Sequence, residues 1–505
     1  MKKRYYIKKY FIYTVTFYIY SISMIAENLV TPAQYLKSIP RPNFKKENTM
    51  LPLTRWGWIL SLNCRIELAD NWGFALEFGP CTNGYLKKLS NPESNTSKIV
   101  KLCRSNPEKY SLFILANRKL PKKVPPSTWT RNSKGEFLNA KAKSQDGNEW
   151  HPGLSTVYSP EAPDSVWEEA GKLNAEPIEN LIKKCPVSII LSGGEYGIGV
   201  LGFAKKVWEK DPVIIKAKGN KSWFEYISER KANEEILIAN AIKKAAPNRR
   251  LYIYYPTDGG FHRNEYPGWN KWYYGYQWMK PVSDLPNGYA YYMQFNTGWT
   301  GSRDLLTQAL DAKGFEIKYD EPLSYNWLCA GWDQKNLGPE EFSDIPLYTG
   351  FLKSYYNVGM LGGVAGYFSY PKGGFKSKFK KNKPPHWLQQ IVVLSRVHAL
   401  FSHYEDFLRN GTLLPGPYRH PWSKHQPAYM FPVLNKKTDK QITSSKFTKL
   451  FLSLITPPKN DIKIIIRKHN SKNQWLISAW SGKRKDEPYI ILQIKYLTNS
   501  FCSLQ

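Results

Sequence analysis

The sequence predicts an α/β fold, in which a parallel (β/α)8 barrel is followed by a small C-terminal β-sandwich. Short apolar runs alternate with longer amphipathic stretches between residues 51 and 425, which is typical of repeated β-then-α units. Eight such runs can be identified, and eight strands favour a closed barrel over a doubly wound sheet. After residue 430 the apolar runs are separated by Pro, Lys and Asn without a helical pattern, which favours strands alone. A chain of 505 residues is long enough for both parts.

The predicted barrel strands are short and apolar. In chain order they are Trp58–Asn63, Gly73–Phe78, Ser111–Ala116, Val187–Leu191, Leu251–Tyr255, Tyr289–Asn296, Ser324–Ala330 and Met360–Phe368. Helical patterns lie between several of them, at Ser222–Ala246, Asp304–Ala312 and Trp387–Leu408. The predicted strands of the β-sandwich, which ends soon after the last of them, are Lys463–Arg467, Gln474–Ala479 and Tyr489–Ile494.

The first residues are typical of an export signal. Met1–Tyr10 contain five Lys or Arg and no acidic residue, and an apolar stretch extends from Phe11 to about Ala26. We therefore expect residues 1–26 to be a signal peptide and the remainder to be secreted, periplasmic or on the cell surface; an uncleaved anchor is the alternative. Residues 27–50 are expected to be an irregular lead-in, residues 51–425 the barrel, and residues 430–505 the β-sandwich.

The charge balance is strongly basic, with 72 Lys and Arg against 41 Asp and Glu and a formal net charge of +31. A basic surface attracts polyanions, but the charge is spread along the chain, which weakens a nucleic-acid interpretation. The dense run Lys376–Lys383 follows the last predicted barrel strand, so it is either a solvated loop or a contact for an anionic substrate. The mean hydropathy of -0.50 excludes a multi-span membrane protein. We expect no nucleic-acid partner and no membrane contact beyond the export segment.

The polar segment that most clearly indicates a catalytic residue follows the fourth predicted strand. There the chain reads Ser192-Gly193-Gly194-Glu195-Tyr196-Gly197, and catalytic groups of barrels lie just beyond the carboxyl ends of strands. A partly desolvated Glu195 beside Tyr196 can hold a raised pKa and act as a general acid. A structural salt bridge is the alternative role for Glu195.

Further candidate binding residues follow the later predicted strands. His262 and Arg263 follow the fifth, where they can hold hydroxyl or sulfate groups or form a loop salt bridge. Tryptophans can stack on sugar rings, and Asn can hydrogen-bond to hydroxyls. The candidates of these two kinds are Trp299, Asn326, Trp327 and Trp332.

Several other chemistries lack a supporting pattern. The segment Gly197–Gly202 matches the dinucleotide motif GxGxxG, but the next apolar run, Val213–Ile215, is followed by lysines rather than by a ribose-binding acid. His398 and His403 are five residues apart, so they do not share a helix face as a zinc motif requires. The six cysteines have no metal-ligand spacing; Cys64 and Cys81 either form a disulfide or are buried thiols. We therefore expect neither a cofactor nor a metal.

Taken together, these segments resemble the secreted TIM-barrel glycoside hydrolases of the large retaining clan, whose acid/base is a Glu at the end of strand four. The resemblance implies that role for Glu195. It is closer still to little-characterised bacterial proteins linked to marine polysaccharide breakdown, agarase- or carrageenase-like in general plan. The segments that carry it are Gly193–Gly197, Trp223–Arg230, Ser283–Pro286, Gly298–Ala309, Leu323–Trp332, Gly359–Pro371 and Val397–Pro417.

The sequence departs from that clan at the nucleophile. The clan has a Glu at the end of strand seven, whereas the seventh predicted strand and the residues after it, 324–332, contain none. Asp304 is the first candidate for the second carboxylate, with an N-cap of helix Leu305–Ala312 as its alternative role. The substitutes are Asp284, Asp333 and Glu77.

The sequence thus predicts a hydrolase that cleaves glycosidic bonds of an extracellular polysaccharide, sulfated or not. Glu195 would protonate the leaving oxygen, and a second carboxylate would attack the anomeric carbon or activate water. The alternatives are a non-catalytic carbohydrate-binding barrel and a cell-surface structural protein anchored by residues 1–26.

Overall fold

The computed structural model describes a mixed α/β fold. The described residues are 29–45, 54–56, 60–117, 119–137, 158–193, 208–255, 278, 280–285, 323–329, 345–357, 359–366, 377–413, 431–432, 462–481 and 489–494. Elements are numbered over these residues alone.

Seven described strands run parallel to their neighbours. They are β2 (Arg55–Trp56), β3 (Leu76–Cys81), β4 (Leu112–Ala116), β5 (Ile189–Gly193), β6 (Leu251–Tyr255), β7 (Ser324–Cys329) and β8 (Met360–Gly366). One sheet has the order β3-β4-β5-β6 and another the order β2-β8-β7. A parallel bridge between Thr54 and Phe74 joins the two at β2 and β3.

The order of these strands is compatible with a barrel in which one strand and its two pairings are not described. Each strand from β2 to β6 lies beside the next in the chain, and β8 returns to lie beside β2. Closure requires a strand between β6 and β7, and the predicted strand Tyr289–Asn296 lies outside the described residues. Closure of the barrel therefore stays a prediction, whereas the parallel α/β arrangement is confirmed.

The first predicted strand, Trp58–Asn63, is wrong in position. The paired residues are Arg55–Trp56, and helix α2 begins at Leu62. The reason is the cap at Ser61, whose side chain accepts a hydrogen bond from the backbone N–H of Cys64 and starts a helix where the apolar run had indicated a strand.

The described helices fill the connections between strands. They are α1 (Pro32–Ser38), α2 (Leu62–Asn71), α3 (Asn83–Leu86), α4 (Asn95–Ser105), α5 (Asp164–Ile182), α6 (Pro212–Lys218), α7 (Trp223–Ala245), α8 (Ile345–Asn357), α9 (His386–Ser402) and α10 (Glu405–Asn410). The predicted helix Ser222–Ala246 is confirmed as α7, with Ser222 and Glu225 forming a capping box. The predicted helix Trp387–Leu408 is split into α9 and α10, and Asp304–Ala312 lies outside the described residues.

The strands bury both faces. Side chains alternate along a strand, so Ile190 and Tyr252 face the outer layer formed by α4, α5 and α7, whereas Ile189 and Leu251 face the inner side. Helices α5 and α7 approach closely at Gly171, where an added Cβ would lie 2.9 Å from the Cβ of Ala241. The sheet therefore presents an apolar inner face and a tightly packed outer one.

The C-terminal strands form one antiparallel sheet. Its members are β10 (Gly411–Leu413), β11 (Phe431–Pro432), β12 (Ile462–His469), β13 (Trp475–Ser481) and β14 (Tyr489–Ile494). The three predicted strands are thus confirmed, whereas the second layer of a sandwich is not among the described residues. Arg467 fixes this sheet to α8, because its buried guanidinium donates to the carbonyls of Asn357 and Gly411 at 3.2 and 3.1 Å.

The lead-in is more ordered than the sequence indicates. Strand β1 (Leu29–Val30) pairs antiparallel with β9 (Phe379–Lys380), and α1 follows with a capping box between Thr31 and Gln34. Further on, the backbone N–H of Lys45 donates to Ser402 Oγ at 2.9 Å. In the part of the chain that the structure describes, no helix has the length and apolarity needed to span a bilayer.

Candidate active site

The sequence predicts the candidate site at the carboxyl edge of the parallel strands, and the structure describes the ends of β5 and β6 there. Strands β5 and β6 end at Gly193 and Tyr255, and these two residues are register partners. The chain continues from them into segments 194–200 and 256–263, which lie outside the described residues. Neighbouring strands are about 4.8 Å apart, so the carboxyl ends of β5 and β6 lie next to each other at this edge.

The inner face of β5 leads to this edge. Leu191 pairs with Ile253, and both side chains are buried on the inner side. Ser192 and Tyr254 face outward, so the alternation brings Gly193 back to the inner face. Glu195 is two residues further along the chain. A glycine at the end of the strand places no side chain between the inner layer and this edge.

Most of the predicted site residues lie outside the described residues. These are Glu195, Tyr196, His262, Arg263, Trp299, Asp304, Trp332 and Asp333. The backbones of Asn326 and Trp327 are within β7, where they pair with Gly363 and Val364 of β8. Val364 in turn pairs with Arg55 of β2, so Trp327 and Arg55 occupy one register row across three strands.

An ion pair lies on the inner face of the sheet. Arg55 Nη1 donates to Glu77 Oε1, and the two side chains are 8% and 21% exposed. Arg65 Nη2 donates to the main-chain oxygen of Glu77. The Arg55 guanidinium lies 5.2 Å from the centre of the Phe113 ring. Arg55 Nε is buried, and no hydrogen-bond partner for it is found among the described residues.

The neighbouring phenol of Tyr325 is neutral. Complete burial raises the pKa of Tyr325 well above its usual value, and the positive charge of Arg55 opposes this rise. Arg55, Glu77 and Tyr325 are therefore polar groups in an otherwise apolar inner layer, in which the Phe113 ring packs against Arg55. Sequence analysis missed Arg55, although a charged residue inside the apolar stretch 51–60 is the signal that could have indicated it.

Glu77 is poorly placed as the second catalytic carboxylate. It is the second residue of β3, and that strand continues to Cys81. Its register row contains Phe113, Ile189 and Leu251, four positions before the paired ends of β5 and β6. Its carboxylate also neutralises Arg55. The arrangement indicates a structural role inside the strand layer.

Asp284 also has a structural role. Its Oδ2 accepts the backbone N–H of Tyr252 at 2.7 Å, near the amino end of β6. Lys243 Nζ and Arg249 Nη2 lie 3.4 and 3.6 Å from the same carboxylate. These contacts hold Asp284 at the start of β6, at the edge opposite the carboxyl ends of the strands, and indicate a structural role.

The described residues contain no group of His, Cys, Asp and Glu that could hold a metal ion. Cys64 and Cys81 are not joined; both are buried thiols, and burial raises the pKa of each to about 12. His398 Nε2 lies 3.0 Å from Thr54 Oγ1 inside the core. The apolar run Val213–Ile215 belongs to α6, so the second strand of a dinucleotide-binding unit is absent at that position.

Comparisons with known proteins do not assign this chain to a family. No protein-family model matches the chain, and no curated protein is similar to it. Among solved structures, the chain is similar to a glycoside hydrolase family 27 β-L-arabinopyranosidase from Geobacillus stearothermophilus, solved in complex with arabinose. The identity is 9%, the match covers 88% of this chain and 78% of that chain, and the TM-score is 0.32. At that similarity the match carries no argument about function, and nothing links the chain to agarases or carrageenases.

Proposed function

We propose that this chain is a glycoside hydrolase that cleaves an exported polysaccharide at the carboxyl edge of a closed parallel barrel. The observation that carries the proposal is the pairing of Gly193 with Tyr255, which puts the carboxyl ends of β5 and β6 side by side. In this proposal Glu195 and His262–Arg263 act close to these two strand ends, because they follow them in the chain. Export by residues 1–26 is part of the same proposal, because a polysaccharide substrate lies outside the cell.

The strand order supports a barrel. With β2 to β6 in sequence and β8 beside β2, one strand between β6 and β7 completes an eight-stranded ring. In that ring β7 is three strands away from β5, on the far side of the opening. The segment containing Glu195 would then face the segment that follows Trp327, and a sugar chain would bind between them.

Glu195 supplies the proton for the leaving oxygen in this proposal. A second carboxylate attacks the anomeric carbon or activates water, at about 5–5.5 Å from Glu195 for retention and about 6.5–9.5 Å for inversion. Since Glu77 and Asp284 are engaged in structural contacts, Asp304 remains the first candidate and Asp333 the second. Trp299, Trp327 and Trp332 are the proposed sugar platforms. Tyr196, His262, Arg263 and Asn326 are the proposed hydrogen-bonding groups.

The test is release of reducing ends from a panel of neutral and acidic polysaccharides by the chain expressed from its full sequence. We expect wild type to cut at least one of them and Glu195→Gln to lose about 100-fold or more in kcat, since general acid catalysis contributes on that scale. Glu93→Gln is the matched control, because Glu93 is an exposed carboxylate paired with Lys98. It should retain full activity, and equal loss in both variants would count against the proposal.

A non-catalytic carbohydrate-binding barrel is the second candidate function. The observation that favours it is strand β7, which pairs along its length with β8 yet contains no carboxylate in Ser324–Cys329. Retention of the chain by an immobilised polysaccharide, without any reducing-end release by wild type, would favour this candidate over the hydrolase.

A further inference from the structure

Four lysines form a charged cluster between β8 and α9, which we call the lysine corner. Its members are Lys378, Lys380, Lys381 and Lys383, and all four side chains are exposed. No acidic residue occurs in the described stretch 377–385 or in the first turn of α9. Within the part of the chain that the structure covers, none of the four ammonium groups is paired with a carboxylate.

The lysine corner is fixed to the body of the protein. Phe379 lies between two of the lysines and is buried in the core, where its ring contacts Tyr35 edge-on at 5.7 Å between centroids. The backbone of Phe379 and Lys380 pairs with Val30 and Leu29 of β1. Because side chains alternate on a strand, burial of Phe379 points Lys378 and Lys380 outward together. Four like charges are thus held close to one another on an ordered backbone.

The lysine corner lies on the connection that leaves the carboxyl edge. It follows β8, which ends at Gly366, and precedes α9, which begins at His386. Since the parallel strands share one direction, this is the edge at which β5 and β6 end. Other connections at the edge add exposed lysines. These are Lys87 and Lys88 after β3 and Lys122 and Lys123 after β4.

We propose that the lysine corner binds the sulfate or carboxylate groups of an acidic polysaccharide and guides its chain to the candidate active site. This inference rests on the proposed function and names its substrate class. The compact ammonium group of lysine is a strongly charged partner for an oxyanion. A surface lined by positive charges also raises the local concentration of a negatively charged substrate. The contacts are exposed, so salt weakens them.

The exposed side chains of the corner favour a polysaccharide over a nucleic acid or a membrane. Single-stranded nucleic acids are bound through aromatic side chains on which bases stack, and the one aromatic residue of the corner, Phe379, is buried. Lysine clusters are attracted to anionic membranes, but stable membrane binding needs a second signal, such as a helix with a broad apolar face. Leu29, which is half exposed opposite Lys380, is a single apolar side chain and does not provide one.

The test compares binding of dextran sulfate with binding of unsulfated dextran, two polymers that share a backbone and differ in charge. The corner variant is K380E/K381E. The matched control is K183E/K184E, which reverses two adjacent exposed lysines just after α5, ahead of β5 at the amino edge. At about 0.1 M ionic strength, where exposed charges interact over about 10 Å, we expect the corner variant to bind dextran sulfate at least about tenfold more weakly. The control should change by about twofold or less.

Three outcomes would overturn the inference. The first is equal weakening in both variants, which would indicate attraction by net charge alone. The second is equal binding of dextran and dextran sulfate by wild type. The third is that K380E/K381E weakens binding to vesicles with anionic headgroups or to single-stranded DNA but leaves binding to dextran sulfate unchanged. Corner-dependent binding of dextran sulfate without glycosidase activity on any polysaccharide would contradict the proposed function and leave the corner as a polyanion site.

Discussion

At the scale of single residues, the inner ion pair is the feature that sequence analysis could least predict. Arg55 and Glu77 are 22 positions apart in the chain. They meet because the bridge between Thr54 and Phe74 sets β2 beside β3. Apolar periodicity indicates which residues form strands, but it does not set the register of one strand against the next, and the contact between these two charges depends on that register.

The ion pair makes a prediction about stability. Arg55→Met removes the partner of a largely buried carboxylate and should lower the free energy of unfolding by about 3 kcal/mol. The double variant R55M/E77L replaces both charges with apolar groups and should recover most of this loss. Urea unfolding of wild type and of the single and double variants measures both values. Equal destabilisation in the single and double variants would show that the charges do not interact.

The buried His398 predicts a pH dependence of stability. Burial lowers the pKa of His398 to about 3, from an ordinary value of 6.5. Between these values the unfolded chain binds a proton that the folded chain does not, so stability is complete above about pH 6.5 and falls as the pH falls. At pH 5 the loss attributable to this group is about 2 kcal/mol.

The control for this prediction is His398→Gln, which can still hydrogen-bond to Thr54 but does not titrate. Its free energy of unfolding should fall less steeply between pH 6.5 and pH 5 than that of wild type. Parallel pH profiles for the two chains, recorded by urea unfolding, would contradict the assignment of a neutral buried imidazole.

At the scale of elements, the sequence predicts strands and helices well where a continuous apolar run or a cap marks them. Strand β6 and helix α7 are found at their predicted positions. The buried charges of α7 could not be predicted. Lys231 Nζ lies 3.0 Å from Glu234 and 2.5 Å from Glu235, and the Tyr254 hydroxyl of β6 donates to Glu235. A helix pattern assigns charged residues to the surface, and only the position of β6 shows that these lie inside.

The close approach of α5 and α7 gives a prediction about packing. In Gly171→Ala we expect overpacking to cost about 1–3 kcal/mol, because the new methyl would lie 2.9 Å from Ala241 Cβ and 3.1 Å from the carbonyl oxygen of Leu237. The preference for Ala over Gly in a helix offsets roughly 1 kcal/mol of this cost, so the fold should be destabilised by about 1–2 kcal/mol. Gly84→Ala is the control, since its nearest neighbour would be Thr82 Oγ1 at 3.9 Å. A stabilised Gly171→Ala chain would show that the helices separate readily.

At the scale of the whole molecule, the sequence predicts the parallel α/β plan and the three main C-terminal strands. Repeated β-then-α units have few arrangements open to them, because parallel strands need a crossover and each crossover helix must cover the sheet. The candidate site is less predictable. Its residues come from several connections whose lengths and local conformations are not set by periodicity. The described structure fixes only where those connections leave the sheet, at Gly193, Tyr255 and Cys329.

The central claim is that Glu195 protonates a glycosidic oxygen at this edge. The most direct test is the ratio of kcat/KM for wild type to that for Glu195→Gln, on the first polysaccharide that wild type is found to cut. We expect a ratio of about 100 or more. The free energy of unfolding should differ by no more than about 0.5 kcal/mol between the two chains. A ratio near one with both chains folded would contradict the claim.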